Sequence, residues 1–204
     1  MMVLVDATTI SAAYTGATLA TILNPYGQHG TAPDGYTFVG WMEKTSAGAA
    51  SFVATSATVQ AGATYTAIYA KFAWEGTSKH DTNDKMRFQG NVEFYGISDD
   101  AMLTALRAAM SVTITVTRQT TTYNSAEDAL ADGKHITKEL SNSYFGIDEG
   151  ATATAAANSI CFRYAITGLA SHQNLRLLQS AVVTVNGVVL AATNTPNAYS
   201  VAEL

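Results

Sequence analysis

The chain has 204 residues, a length that accommodates one large domain or two small ones. Hydrophobic residues make up 48% of it and charged residues only 13%, so there is enough apolar material for a core. The net charge is −5 and the 11 lysines and arginines are not clustered, which excludes the basic stripe of a nucleic-acid-binding surface. The single cysteine excludes an intrachain disulfide and a multi-cysteine zinc site. No apolar run reaches the roughly 18 residues of a membrane-spanning helix, so no membrane insertion is expected.

The chain begins with two methionines and then runs directly into polar, threonine-rich sequence. A secretory signal would show a basic segment followed by an apolar one. We therefore expect the chain either to be part of a longer secreted protein or to be assembled without that export route.

Residues 1–72 show the pattern of short strands separated by turns. Proline followed closely by glycine, as in residues 24–27 and 32–35, is a turn signal, because proline fixes φ and glycine accepts a positive φ. Apolar periodicity in this unit predicts strands over residues 36–41 and 64–72 and a short helix over residues 17–23.

Residues 73–84 are polar and short of branched apolar side chains, so we predict a linker there between residues 1–72 and residues 85–204. Two short helices are predicted in the second unit, after Ser98 and after Ser125. Its predicted strands cover residues 86–95, 111–118, 160–167, 175–185 and 188–192, the last two joined by a type I′ turn at Asn186-Gly187.

Residues 111–118 alternate valine and isoleucine with threonine, which is typical of a half-buried antiparallel strand. We take residues 111–118 and 181–185 to be edge strands, and neither contains the proline or lysine that blocks edge pairing. This pattern indicates a capacity for self-association.

Two strings in the first unit carry a family resemblance. Residues 35–41 read Gly-Tyr-Thr-Phe-Val-Gly-Trp, and residues 65–72 read Tyr-Thr-Ala-Ile-Tyr-Ala-Lys-Phe. The pair resembles a Listeria-Bacteroides repeat, the internalin B-repeat type of module, over residues 1–72. The resemblance implies a small β-grasp-like module that is arrayed in bacterial surface proteins and is not catalytic. It also makes Trp41 a core residue whose replacement by alanine is expected to melt the first unit alone.

Parts of the second unit are similar to uncharacterised β-sandwich modules of surface proteins from gut anaerobes, namely residues 86–90, 162–169 and 181–187. Taken together, the two resemblances imply a mainly β chain. We expect a small β-grasp-like repeat module followed by a β-sandwich-like domain with one or two short helices.

The spacing of the ligand-type residues does not predict a metal site. The four histidines, none of them three or four residues from another, are expected to be ordinary surface residues: His29, His80, His135 and His172. Residues 81–84 are the nearest approach to a calcium loop, but the glycine and glutamate that such a loop needs further along are missing. We therefore expect no metal and no cofactor.

The sequence likewise does not predict a catalytic site. The acidic pairs at residues 99–100 and 127–128 lie in predicted first turns of helices, where negative charge favours the helix dipole, and a third pair lies at residues 148–149. Cys161 lies in an apolar strand with Arg163 two residues on, and we expect it to be a buried, inert thiol. The chain is not expected to be an enzyme.

The aromatic residues of the first unit raise the question of a sugar-stacking platform. Their alternation and the family resemblance predict that most of them belong to the core: Tyr36, Phe38, Trp41, Tyr65, Tyr69, Phe72 and Trp74. We single out Trp74, beside the predicted linker, as a candidate exposed surface contact.

Three functions from different classes remain. The first is a structural and adhesion module of an extracellular bacterial cell-surface protein, which presents a binding face to a protein or carbohydrate ligand. The second is a phage virion structural protein, such as a head decoration or fibre subunit, which works as a symmetric assembly. The third is a divergent carbohydrate-binding domain.

Overall fold

The computed structural model describes residues 2–4, 9–12, 17–23, 31–79, 85–120, 123, 125–140, 145–147, 158–192 and 197–204. The helices are α1 (Leu19–Leu23), α2 (Asp100–Ala109) and α3 (Ala126–Ala131). The strands are β1 (Met2–Leu4), β2 (Thr9–Ala12), β3 (Thr37–Lys44), β4 (Ala50–Val53), β5 (Thr64–Lys79), β6 (Met86–Tyr95), β7 (Met110–Arg118), β8 (Ile136–Leu140), β9 (Phe145–Ile147), β10 (Ser159–Ile166), β11 (Leu177–Val185) and β12 (Val188–Leu190). The fold is mainly β, with two antiparallel sheets and short helices in a β-sandwich-like arrangement, as the sequence predicts.

The larger sheet is organised around β5, which has 16 residues. One edge of β5 pairs first with β2 and then with β6, while β3 pairs with its other edge. The remaining strands extend this sheet in the order β1-β2-β5-β6-β10-β9, with β4 attached to β3. The sheet therefore joins strands from both of the units that the sequence predicts.

The predicted linker is wrong over residues 73–79, which belong to β5 and are paired with β6. Their polar composition suggests a linker, but ladder hydrogen bonds to β6 satisfy their backbone and hold them in the sheet. Residues 80–84 of that predicted linker lie outside the described residues.

The first half of β5 is buried on both faces. Tyr65, Ala67 and Tyr69 pack in a cluster with Leu19 and Leu23 of α1. The alternate residues, Ile68, Ala70 and Phe72, point into the main core between the two sheets. A strand covered on both faces loses the polar alternation that a half-buried strand shows.

The smaller sheet has the strand order β12-β11-β7-β8. Val112, Ile114 and Val116 of β7 face the larger sheet and join its main core, as the predicted alternation requires. The predicted edge positions are wrong, since β7 lies between β11 and β8, and β11 lies between β12 and β7.

The turn at Asn186-Gly187 is confirmed. Asn186 has a φ of 49° and Gly187 a φ of 79°, and the two positive values match the predicted type I′ hairpin between β11 and β12. The Asn186 side-chain Nδ2 donates to the Val39 carbonyl at 2.8 Å, so the hairpin is tied to β3. A Cβ at Gly40, whose φ is 140°, would lie 2.5 Å from this Nδ2, so only glycine leaves room for the contact.

Candidate functional site

Trp74 is not a surface contact in this structure. Its side chain is only 7% exposed and belongs to the main core. The ring lies 5.4 Å from that of Phe72 and 6.2 Å from that of Phe162, measured between centroids. The prediction of an exposed tryptophan is wrong because β5 continues past residue 72 and places Trp74 on the inner face of the larger sheet, beside Phe162 of β10.

The remaining aromatic residues of the first unit follow the core prediction. Four of them are almost fully buried: Trp41, Tyr65, Tyr69 and Phe72. Tyr36 and Phe38 are half-buried at the margin of the cluster beneath α1. Burial of the four rings in the core leaves them no face on which a sugar could stack.

The histidines are dispersed. His172 is exposed, as predicted, and its Nδ1 lies 2.9 Å from the Ser171 hydroxyl. His135 is half-buried, with Nδ1 3.3 Å from the Ala129 carbonyl oxygen. His29 and His80 lie outside the described residues. Within the part of the chain that the structure describes, no group of three or more histidine, cysteine or acidic side chains could hold a metal ion.

The acidic pair that begins α2 is structural, as predicted. Asp99 is the N-cap, and its carboxylate accepts a hydrogen bond of 3.1 Å from the Met102 backbone. It also forms an ion pair with Lys44. The hydrogen bond from Lys44 lowers the pKa of Asp99 below its ordinary value. In α3, the Ser125 hydroxyl accepts from the Asp128 backbone, while residues 148–149 lie outside the described residues.

Cys161 is buried, as predicted. Its thiol points at a Glu75 carboxylate oxygen at 3.9 Å, and a neighbouring carboxylate disfavours the thiolate that a nucleophile requires. Glu75 also accepts a hydrogen bond from Gln89, whose carbonyl oxygen accepts from Arg163 at 2.8 Å. Arg163 is therefore engaged by Gln89.

In the first unit, the hydroxyls of Tyr36 and Tyr65 donate to carboxylates. Tyr36 donates to Glu93 at 2.9 Å, and Tyr65 donates to Glu43 at 2.5 Å. Burial, followed by these hydrogen bonds, raises the pKa of each tyrosine from 10.0 to about 12. An ionised phenolate beside a carboxylate is unfavourable, so both hydroxyls act as fixed donors.

This environment predicts an alkaline transition. Because the folded pKa of Tyr65 lies above its ordinary value of 10.0, the stability it contributes is complete below pH 10. That stability is lost as the pH rises through about 12. In an absorbance titration, the difference between the native chain and Tyr65→Phe should show a phenolate appearing near pH 12. A difference curve with its midpoint near pH 10 would contradict the buried hydrogen bond.

One surface of the smaller sheet is uncharged and partly uncovered. We call it the open face, and it consists of Ser111, Thr113, Val182, Thr184 and Val189. Val182 is 53% exposed and Val189 is 64% exposed. Strand register places Val182 beside Thr113, and Thr184 between Ser111 and Val189. Glu139, the partner of Thr113 on β8, borders the face.

Further along β7 and β11, α3 lies against both strands on that surface. Thr115 and Thr117 are buried there, and the Thr117 hydroxyl donates to the Lys134 carbonyl at 2.8 Å. The helix thus limits the open face to the end of the sheet near the β11–β12 hairpin. The sequence did not reveal this face, because residues 181–185 are apolar at nearly every position.

A groove of about 470 Å³ opens at the other end of the smaller sheet. Its apolar lining comes from four separate segments: Val116, Ile136, Ile166, Leu169, Leu175 and Leu177. Arg118, Lys134 and His135 also line it. Ile136 is 68% exposed, although it lies on the inner side of β8 beside Val116. No local sequence pattern predicts a groove that residues so distant in sequence assemble.

Among the described helices, none is long and apolar enough to cross a membrane. No protein-family model, no curated protein and no solved structure matches the chain.

Proposed function

We propose that the chain is a non-enzymatic structural and adhesion module of a bacterial cell-surface protein. A rigid β-scaffold presents the open face to a protein partner outside the cell. The observation that carries the proposal is the exposure of Val182 and Val189 on an uncharged sheet surface. The resemblance of residues 1–72 to a Listeria-Bacteroides repeat supports the cellular setting.

Rigidity follows from how the sheets are joined. β5 continues through residues 73–79 of the predicted linker, and its rings share one core with β10. The hydrogen bond from Asn186 to Val39 fixes the hairpin beside the open face to the larger sheet. A binding surface held in this way loses little conformational freedom on association, which favours affinity.

The chemistry of the open face favours a protein partner. The centres of protein interfaces are depleted in charged residues, and the five side chains of this face carry none. A nucleic acid would require clustered basic residues. The partner is therefore expected to offer an uncharged surface of its own.

Adhesion of coated beads tests the proposal. Beads carrying the native chain should be retained under flow on layers of epithelial or bacterial cells. Val182→Lys should reduce this retention about tenfold or more, because association would bury an unpaired ammonium group. The exposure of Val182 lets the fold tolerate the change.

Tyr95→Lys is the control, since it places the same charge on another exposed hydrophobic residue, which lies on the larger sheet and outside the open face. Retention of this variant should equal that of the native chain. Equal retention of Val182→Lys and the native chain, or no retention of either, would contradict a binding role for the open face.

The virion alternative remains a second candidate because one observation favours it. An exposed pair of valines on an uncharged sheet surface also fits a contact between copies of the same chain in a symmetric assembly. The solution mass of the chain separates the two functions.

A further inference from the structure

We infer that the groove binds a small amphipathic anion: one aliphatic chain that ends in one anionic head group, as in a medium-chain carboxylate. This inference concerns the opposite end of the smaller sheet from the open face. It goes beyond the proposed function and does not depend on it.

The apolar part of the site combines residues of the smaller sheet with residues from the end of β10 and from the segment that follows it. Leu169 and Leu177 are buried beside the groove, and Val116 of β7 is buried next to them. Ile136 lies on the same inner side as Val116 but is 68% exposed. An aliphatic chain in the groove would cover this exposed side chain and remove it from water.

The size of the groove suits one small ligand. Pockets for small molecules range from about 300 to 1,000 Å³ and are mostly apolar with a few polar groups. The groove, at about 470 Å³, lies in the lower part of that range. A single medium-length chain fits it better than a lipid with two chains does.

The polar part of the site is cationic. Arg118 and Lys134 both line the groove and are exposed. The hydrogen bond from the Thr117 hydroxyl to the Lys134 carbonyl, 2.8 Å long, brings the two segments that carry these cations together.

The described lining of the groove contains no acidic residue. Asp132, two residues before Lys134, accepts a hydrogen bond from the Tyr123 hydroxyl. Within the described part of the chain, neither Arg118 nor Lys134 forms an ion pair. In a chain of net charge −5, two cations beside an apolar cleft match an anionic head group with an aliphatic tail.

Titration calorimetry of the full chain with three probes tests the inference. Octanoate should bind saturably, octanol should bind about fivefold or more weakly for lack of charge, and acetate should show no binding for lack of a tail. Equal affinity for octanoate and octanol, or no binding of octanoate, would overturn the inference. Sedimentation with anionic phospholipid vesicles tests whether the groove binds a membrane surface instead. Co-sedimentation without octanoate binding would assign the groove to a membrane surface and overturn a free ligand.

Substitutions in and beside the groove test where octanoate binds. Arg118→Gln and Lys134→Gln should each weaken octanoate binding about twofold to fivefold, the range expected for exposed charge pairs. Ile136→Ser should weaken it about fourfold, as expected for the loss of roughly one methylene of contact. Lys138→Gln is the matched control, because this exposed cation of β8 does not line the groove. A loss of affinity in Lys138→Gln as large as that in Arg118→Gln would show non-specific attraction and overturn the site.

Discussion

Replacing Trp41 with alanine is expected to lower the free energy of unfolding by about 3–5 kcal/mol, the usual cost of deleting a buried tryptophan ring. Trp41 is 3% exposed and packs in the cluster beneath α1, with its ring centroid 6.3 Å from that of Phe38. The sequence predicts that this loss melts the first unit alone. Because β3 pairs with β5, and β5 pairs with β6, we now expect one transition of the whole chain to shift.

Differential scanning calorimetry and chemical denaturation check this result. Val189→Ala is the control, since its exposed side chain should change stability by no more than about 0.5 kcal/mol. Two separate transitions, of which Trp41→Ala lowers only one, would contradict a single structural unit.

Phe162→Ala is expected to destabilise the chain by a similar amount, about 3–5 kcal/mol. Phe162 is fully buried, and its ring lies 5.7 Å from that of Phe72 and 6.2 Å from that of Trp74. Phe72 and Trp74 belong to β5, whereas Phe162 belongs to β10. The cavity therefore opens in a core that strands from both predicted units share.

A second substitution, Gly90→Ala, tests the packing of Phe162 more directly. A Cβ at Gly90 would lie 2.4 Å from the Phe162 ring and 2.8 Å from the Phe72 ring, so Gly90→Ala alone should cost about 1–3 kcal/mol. In the Phe162→Ala background the added methyl group enters the cavity, and its cost should fall or reverse. Strictly additive free energies of unfolding for the two changes would show that Phe162 does not pack over Gly90.

Local chemistry made several elements predictable. The period of two across Met86–Tyr95 gave the bounds of β6, and the Asn-Gly pair gave the β11–β12 turn. The helix after Ser98 was also expected, although its N-cap is Asp99. In each case neighbouring residues suffice to determine the conformation.

Pairing with strands distant in the chain determines the elements that the sequence did not predict. Residues 73–79 look like a linker, yet β6 holds them in a strand. β8 carries a lysine and a glutamate in five residues and is a strand because β7 pairs with it. Such segments owe their conformation to partners distant in the chain, which local propensity does not record.

The candidate sites were hidden for the same reason. The outward direction of Val182 follows from the register of β11 on β7, whereas both neighbours of Val182 are themselves apolar. Thr115 and Thr117 have the pattern of exposed residues, but α3 covers them. The groove needs four segments to meet, so no single stretch of sequence indicates it.

The solution mass of the chain tests most directly whether the scaffold offers its open face to a different protein. We predict a monomer of 21.5 kDa by light scattering at every concentration, for the native chain and for Val182→Lys alike. A stable trimer or a larger closed ring in the native chain would contradict this function and favour the virion alternative. Dissociation of that assembly by Val182→Lys would then place the contact between copies on the open face.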